Sequence, residues 1–277
     1  MNVENKNGQA LGVGVGGLGA IGLKVAGVLD AGEIPGLKLA AVSARDTEKA
    51  KRNIAGFKNQ VPVVALGELA AHADIVLECA PSAVFRDVAV PALKAGRTFI
   101  PISVGSLLDH DDLRALADEH NARIIVPTGA LIALDAMRAA AEGTIHSVTM
   151  VTRKPPAGFA GAPYVVENDI DVDAITELTK IFEGSAREGA KGFPANVNVA
   201  AALSLAGIGP DRTTLEIWAD PSVDRNIQHF EVEADSASFE ATIRNVPSEE
   251  NMRTGKITAL SVIAALRGLT TQFKVGT

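Results

Sequence analysis

The sequence predicts an α/β protein in which an amino-terminal, doubly wound parallel sheet is followed by an α+β domain with a mostly antiparallel sheet. Three observations carry that expectation. Short apolar runs alternate with helix-like stretches over the first half, residues 12–22 read GVGVGGLGAIG, and the later strands switch to apolar–polar alternation. A chain of 277 residues that is 47% hydrophobic is long enough to fill two ordinary cores.

The first strand is LGVGV, and the helix after it is LKVAGVLDAG. Between them, Gly17-Leu18-Gly19-Ala20-Ile21-Gly22 matches G-x-G-x-x-G in the order strand, tight turn, helix. A flexible linker would carry serine and polar residues, whereas here the spacers are Val, Leu, Ala and Ile. In the cradle reading, Gly17 permits the turn, Gly19 lets a pyrophosphate touch the backbone, and Gly22 lets helix and strand pack closely. The expected domain is therefore a dinucleotide-binding Rossmann domain. A second strand, LKLAAVSAR (37–45), ends about 20 residues after the last glycine, where this fold reads the ribose. Ser43, Ala44 and Arg45 stand there in place of an acid. The expected cofactor is NAD or NADP, with Ser43 and Arg45 suited to a 2′-phosphate; the alternative for Arg45 is a solvated loop charge.

The alternation continues as VPVVAL, GELAAHA, DIVLECA, SAVFRDVAVPALKAG, TFIPIS, DHDDLRALADEHN and RIIVPTG, which places the first domain at residues 1–130. After the helix ALDAMRAAAEG, the stretches IHSVTMVTRK, TTLEIWAD, IQHFEVEAD and SASFEATIRNV alternate as half-solvated strands, giving a substrate-binding and dimerisation domain at 131–249. The helix KITALSVIAALRGL within 250–277 is expected to return and complete the nucleotide domain. VPTGA (126–130) and TRKPPAGFAGAP (152–163) mark loops at the joint.

Composition excludes several classes. The single cysteine cannot form an internal disulfide, and no Cys/His cluster has zinc spacing, so no metal is expected. The net charge of −7 leaves no footprint for nucleic acid, and no run suits a signal peptide or a membrane span, so a soluble, cytoplasmic protein is expected. There is no G-x-S-x-G elbow and no H-E-x-x-H. Among five histidines, His72, His110 and His120 sit among acids in the first domain, and His146 opens a strand. His229 follows the polar loop DPSVDRN and is the candidate base. Cys79 and Ala80 lie at a strand's carboxyl end, where ligands gather, although a buried, inert thiol is the favoured reading of Cys79. Residues 103–106 (SVGS), with Asn196 and Asn198, offer donors that serve equally well as helix caps.

Together the motifs resemble the L-aspartate dehydrogenase family. The resemblance runs through GLGAIG (17–22), SVGSLLD (103–109), PTGALIALDAM (127–137), TRKPPAGFAGAP (152–163), FPANVNVAAALSLAG (193–207), ADPSVDRN (219–226) and ENMRTGKITALS (250–261). It implies a homodimeric NAD(P)-dependent enzyme that interconverts aspartate and iminoaspartate, and then oxaloacetate and ammonia. It also implies that the imine can feed NAD biosynthesis. By family pattern Ala130 and Asn198 contact the cofactor. The family's active-site histidine follows the Arg-Asn pair with one residue between, yet here that place holds Gln228 and the histidine comes one position later. Either a bulge returns His229 to the cleft, or Gln228 faces the substrate and cannot take a proton. His229 is the catalytic candidate. Arg153, Lys154, Lys191 and Arg225 are available for the substrate's carboxylates. A related imine or amino-acid oxidoreductase and a non-catalytic NADP(H) sensor are the alternative functions.

Overall fold

A computed structural model describes residues 9–194, 197–249 and 254–276. The chain divides into two compact units, residues 1–127 with 258–274 and residues 128–257 with 275–277.

The first unit contains β1 (Leu11–Gly16), α1 (Ala20–Asp30), β2 (Leu37–Ser43), α2 (Thr47–Ile54), α3 (Leu69–His72), β3 (Ile75–Glu78), α4 (Phe85–Lys94), β4 (Thr98–Pro101), α5 (Asp112–Glu119) and β5 (Arg123–Ile124). These strands form one parallel sheet in the order β2-β1-β3-β4-β5. The expected strand VPVVAL is reduced to a single parallel bridge, Val42 to Val63, on the outer side of β2. Counting that bridge as the third strand, the order becomes 3-2-1-4-5-6, the arrangement of dinucleotide-binding sheets. Every residue of β1, β3 and β4 is buried because helices cover both faces. On one face Val13, Val15, Leu39 and Leu77 pack with Val25 and Leu29 of α1; on the other Val76 and Phe99 pack with Phe85, Val88 and Leu93 of α4. A parallel sheet needs this double cover, which is why its strands read as unbroken apolar runs.

The second unit contains α6 (Leu134–Ala140), β6 (Ile145–Lys154), α7 (Pro163–Glu167), β7 (Thr179–Ser185), α8 (Ala186–Gly192), α9 (Asn198–Ala206), β8 (Thr213–Ala219), β9 (Ile227–Ala234) and β10 (Ser238–Arg244). The sheet order is β10-β9-β6-β8-β7. Only β6 and β8 run parallel, so the sheet is mixed and mostly antiparallel, as expected. β7 escapes the alternation rule because a register shift between Lys180 and Phe182 buries Ile181 and Phe182 consecutively. One face is covered and holds Val148, Met150, Leu215, Ile217, Phe230 and Val232. Above it stand α8, on which α9 packs, and an aromatic cluster of Phe159, Tyr164, Phe182 and Phe193, with ring centroids 5.2–6.1 Å apart.

The last helix, α10 (Lys256–Gly268), returns to the first unit, where Val262 and Leu266 enter the same core as α1. Arg267 donates to the Glu33 carbonyl at 3.0 Å, which fixes the helix end.

Candidate active site

The glycine turn is shaped by close approaches. Gly17 has φ +106°, and a Cβ there would lie 2.4 Å from the Cys79 carbonyl oxygen. At Gly22 a Cβ would meet the Gly17 carbonyl oxygen at 1.9 Å, so α1 can pack on the turn only without a side chain. A Cβ on Gly19 would have nothing within 4 Å. That position is open, and it is also the N-cap of α1, with no side-chain cap and no acid in the first turn. An uncapped helix start with open space before it fits a pyrophosphate. Leu18, Ala20 and Ile21 complete the turn, and Leu18 and Ile21 pack against the core below.

The strand register places Gly16, Ser43 and Glu78 side by side at the sheet's carboxyl edge. Ser43 is buried, and its carbonyl accepts from the Gly17 amide at 2.7 Å, while Arg45 is exposed. Asp46, the nearest acid, caps α2 by accepting from the Lys49 amide at 2.8 Å. The residues that end β2 and follow it, Ser43, Ala44 and Arg45, carry no carboxylate themselves.

Glu78 is a component that the sequence reading missed. It is fully buried, and its carboxylate accepts from the amides of Ala80 (2.8 Å), Ile102 (3.1 Å) and Ser103 (2.9 Å) and from the Ser103 hydroxyl (3.0 Å). Burial raises its pKa against these bonds. It ties together the loops after β3 and β4, including Ala80. The only available signal was an acid ending the apolar run IVL. Burial, with Glu78 beside it, pushes the Cys79 thiol well up, which leaves it unreactive.

In the second unit, Ala130 accepts through its carbonyl from Asn245 Nδ2 at 3.1 Å, and Asn198 opens α9, half-buried. Asn196 and residues 250–253 of the ENMRTGK segment lie outside the described residues.

The register of β9 against β6 and β10 runs unbroken through residues 227–233, with no bulge at the histidine. Gln228 and His229 therefore leave opposite faces of the sheet. Gln228, 3% exposed, lies on the covered face, where its Oε1 accepts from Thr152 Oγ1 at 2.7 Å. His229 lies on the other face with Thr242, Glu231 and Glu240: Nδ1 is 2.8 Å from Thr242 Oγ1, and Nε2 is 3.1 Å from Glu231 Oε1. Of the other histidines, His110 stacks on Phe85, and His72 and His146 are exposed.

The four candidate carboxylate partners separate clearly. Arg153 is paired with Asp220, whose carboxyl is held below the usual range by hydrogen bonds from Ser222 and Arg153 against the opposing effect of burial. Arg225 pairs with Asp224 at 2.6 Å, and Lys191 is exposed. Lys154 is 6% exposed on the covered face, with Nζ 5.9 Å from the Phe159 ring centroid, and burial pushes its pKa down to about 8.

Comparison with known proteins identifies the family of the chain. Residues 17–127 match the NAD-binding domain family of homoserine dehydrogenase, and residues 135–269 match the aspartate dehydrogenase C-terminal family. The chain is 56% identical to an L-aspartate dehydrogenase of Bradyrhizobium diazoefficiens over 96% of this chain and 94% of that one. It is 53% identical to L-aspartate dehydrogenase 3 of Bordetella bronchiseptica over 97% and 98%. The crystal structure of aspartate dehydrogenase from Thermotoga maritima superposes with a TM-score of 0.73 at 25% identity, covering 97% of this chain and all of that one. With a GLGAIG turn on a parallel sheet and relatives this similar along their whole length, the chain belongs to the L-aspartate dehydrogenase family.

Proposed function

We propose that this protein is an NAD(P)-dependent L-aspartate dehydrogenase, and the glycine turn at 17–22 is the observation that carries the reading. It oxidises L-aspartate to iminoaspartate, which water converts to oxaloacetate and ammonia; reductive amination of oxaloacetate is the reverse. When bound, the nicotinamide cofactor accepts hydride from the aspartate α-carbon. Gly17, Gly19 and Gly22, with the amides opening α1, hold its pyrophosphate. Ser43 and Arg45 meet the ribose, where a guanidinium and a missing acid favour NADP. Ala80 borders the cofactor at the end of β3, held there by Glu78. Ala130 and Asn198 supply the contacts that the family pattern gives them.

In domain terms, residues 1–130 with 250–277 bind the dinucleotide, and 131–249 bind the dicarboxylate and form a homodimer. The enzyme works in the cytoplasm, on a small amino or oxo acid. Among the described residues no helix is long and apolar enough to cross a membrane.

The test is a fluorescence titration with NAD(H) and NADP(H), run beside a kinetic screen of oxaloacetate against other 2-oxo acids with ammonium. Binding of a reduced cofactor together with turnover of oxaloacetate supports the reading. Cofactor binding with turnover of a different oxo acid alone replaces the substrate, and binding without any turnover makes the protein a sensor.

A further inference from the structure

The reaction needs a proton acceptor. Aspartate must present an unprotonated amine when hydride leaves its α-carbon, and water must lose a proton as it attacks the imine carbon. The resemblance implies a histidine at position 228, where Gln228 has no basic atom, and His229 points from the opposite face of the sheet. Among the described residues, the side chains that β6, β8, β9 and β10 turn to the covered face include one titratable group. Thr152, Thr213 and Gln228 are polar, the others apolar, and the exception is Lys154.

We propose that Lys154 is the proton-transfer residue of this enzyme, acting on the water that hydrolyses the imine in place of the histidine that the family pattern puts at position 228. The assignment rests on the dehydrogenase reading above. Thr152 sits opposite Gln228 in the ladder, and Lys154 lies two residues further along β6 on the same face. Diagonal neighbours of this kind are about 7–8 Å apart at the backbone, well inside the reach of a lysine. The stem runs along Gly158, and the ammonium lies beside the Phe159 ring. A pKa near 8 leaves both the amine and the ammonium populated at working pH. The turn over it, Pro156–Phe159, brings no charge. At the flanking strand ends, Asp220 is bonded to Arg153 and Ser222, and Asp224 to Arg225; on α8, Lys191 is exposed.

The step balances as follows. Water oxygen bonds to the iminium carbon while one of its protons passes to the Lys154 amine, giving a neutral carbinolamine and an ammonium. That ammonium returns the proton to the substrate nitrogen and the C–N bond breaks. Nitrogen leaves as ammonia and takes up the hydroxyl proton, so the products are oxaloacetate and an ammonium ion, with Lys154 again an amine.

The test compares the parent with Lys154→Met, Lys154→Arg and His229→Ala in kcat-against-pH profiles for aspartate oxidation. A second readout follows the Lys154 ε-methylene NMR signal with pH, assigned by its absence from the Met variant. Expected are a parent limb near pH 8, its loss with at least about a 100-fold fall in kcat in both lysine variants, and an NMR titration near 8. NADP(H) binding should persist in Lys154→Met, and added alkylamines should restore turnover in proportion to their free-base concentration. A parent that oxidises aspartate while Lys154→Met keeps its kcat and limb overturns the assignment alone. So does a limb lost only in His229→Ala, or an NMR titration near 10.5. A parent that oxidises no aspartate, with Lys154 still titrating near 8, overturns the substrate reading and this assignment with it.

Discussion

Replacing Lys154 with methionine should make the protein more stable while it stops working. The substitution keeps most of the side chain's apolar stem and removes the ammonium. The drop in pKa from 10.5 to about 8 is a differential cost of burying the charged form. At roughly 1.4 kcal/mol per pKa unit it amounts to about 3 kcal/mol. The sign follows from proton binding. Between pH 8 and 10.5 the unfolded chain holds the lysine proton more firmly than the native one, so the parent gains stability as pH rises through that window. Below pH 8 the full penalty is present, and above 10.5 it is gone. All other titrating groups are common to both proteins and cancel in the difference. Urea unfolding of the cofactor-free proteins, followed through Trp218, the chain's single tryptophan, on β8, reports on the second unit directly. The variant should exceed the parent by about 3 kcal/mol at pH 7, less a few tenths for imperfect packing, and the gap should close by pH 10.5. A gap that stays constant across this range, or a variant less stable at pH 7, would refute the argument that a buried charge sits at this position.

Four further substitutions have defined outcomes. Gly22→Ala forces a Cβ against the Gly17 carbonyl and should cost about 1–3 kcal/mol. Gly19→Ala meets no neighbour and should melt as the parent does; both should lose cofactor affinity, measured by fluorescence titration beside thermal melts. Glu78→Leu leaves the amides of Ala80 and Ser103 without their acceptor, while the Ile102 amide keeps the Glu78 carbonyl, and should lower stability by at least about 2 kcal/mol and raise the KM for cofactor, seen by calorimetry and steady-state kinetics. Arg45→Glu places a carboxylate near the 2′ position and should weaken NADP binding by about tenfold or more while changing NAD binding little; equal losses for the two cofactors would remove Arg45 from recognition.

What was legible in the sequence follows from how local each constraint is. The glycine turn could be read because its demands are steric and fall on six consecutive residues, with a left-handed φ at Gly17 and a backbone contact at Gly22. The alternating strands of the second sheet were readable because one face is covered and the other is not. β7 was hidden by its register shift, and the stretch VPVVAL after β2 pairs only through the Val42 to Val63 bridge. Glu78 and Lys154 were harder still. Glu78's role depends on amides 24 and 25 residues away, and Lys154 was one of four cations until the register buried it while Arg153, Lys191 and Arg225 stayed at least partly exposed. The choice between Gln228 and His229 likewise required knowing that no bulge interrupts β9.

This chain moves hydride between a pyridine nucleotide and the α-carbon of aspartate. Following absorbance of the reduced nucleotide with purified protein, oxaloacetate and ammonium tests it most directly. Oxidation of NADPH or NADH should require both oxaloacetate and ammonium, and should reverse when L-aspartate meets the oxidised cofactor. Protein that binds nucleotide but leaves it unchanged with either pair of substrates would contradict it.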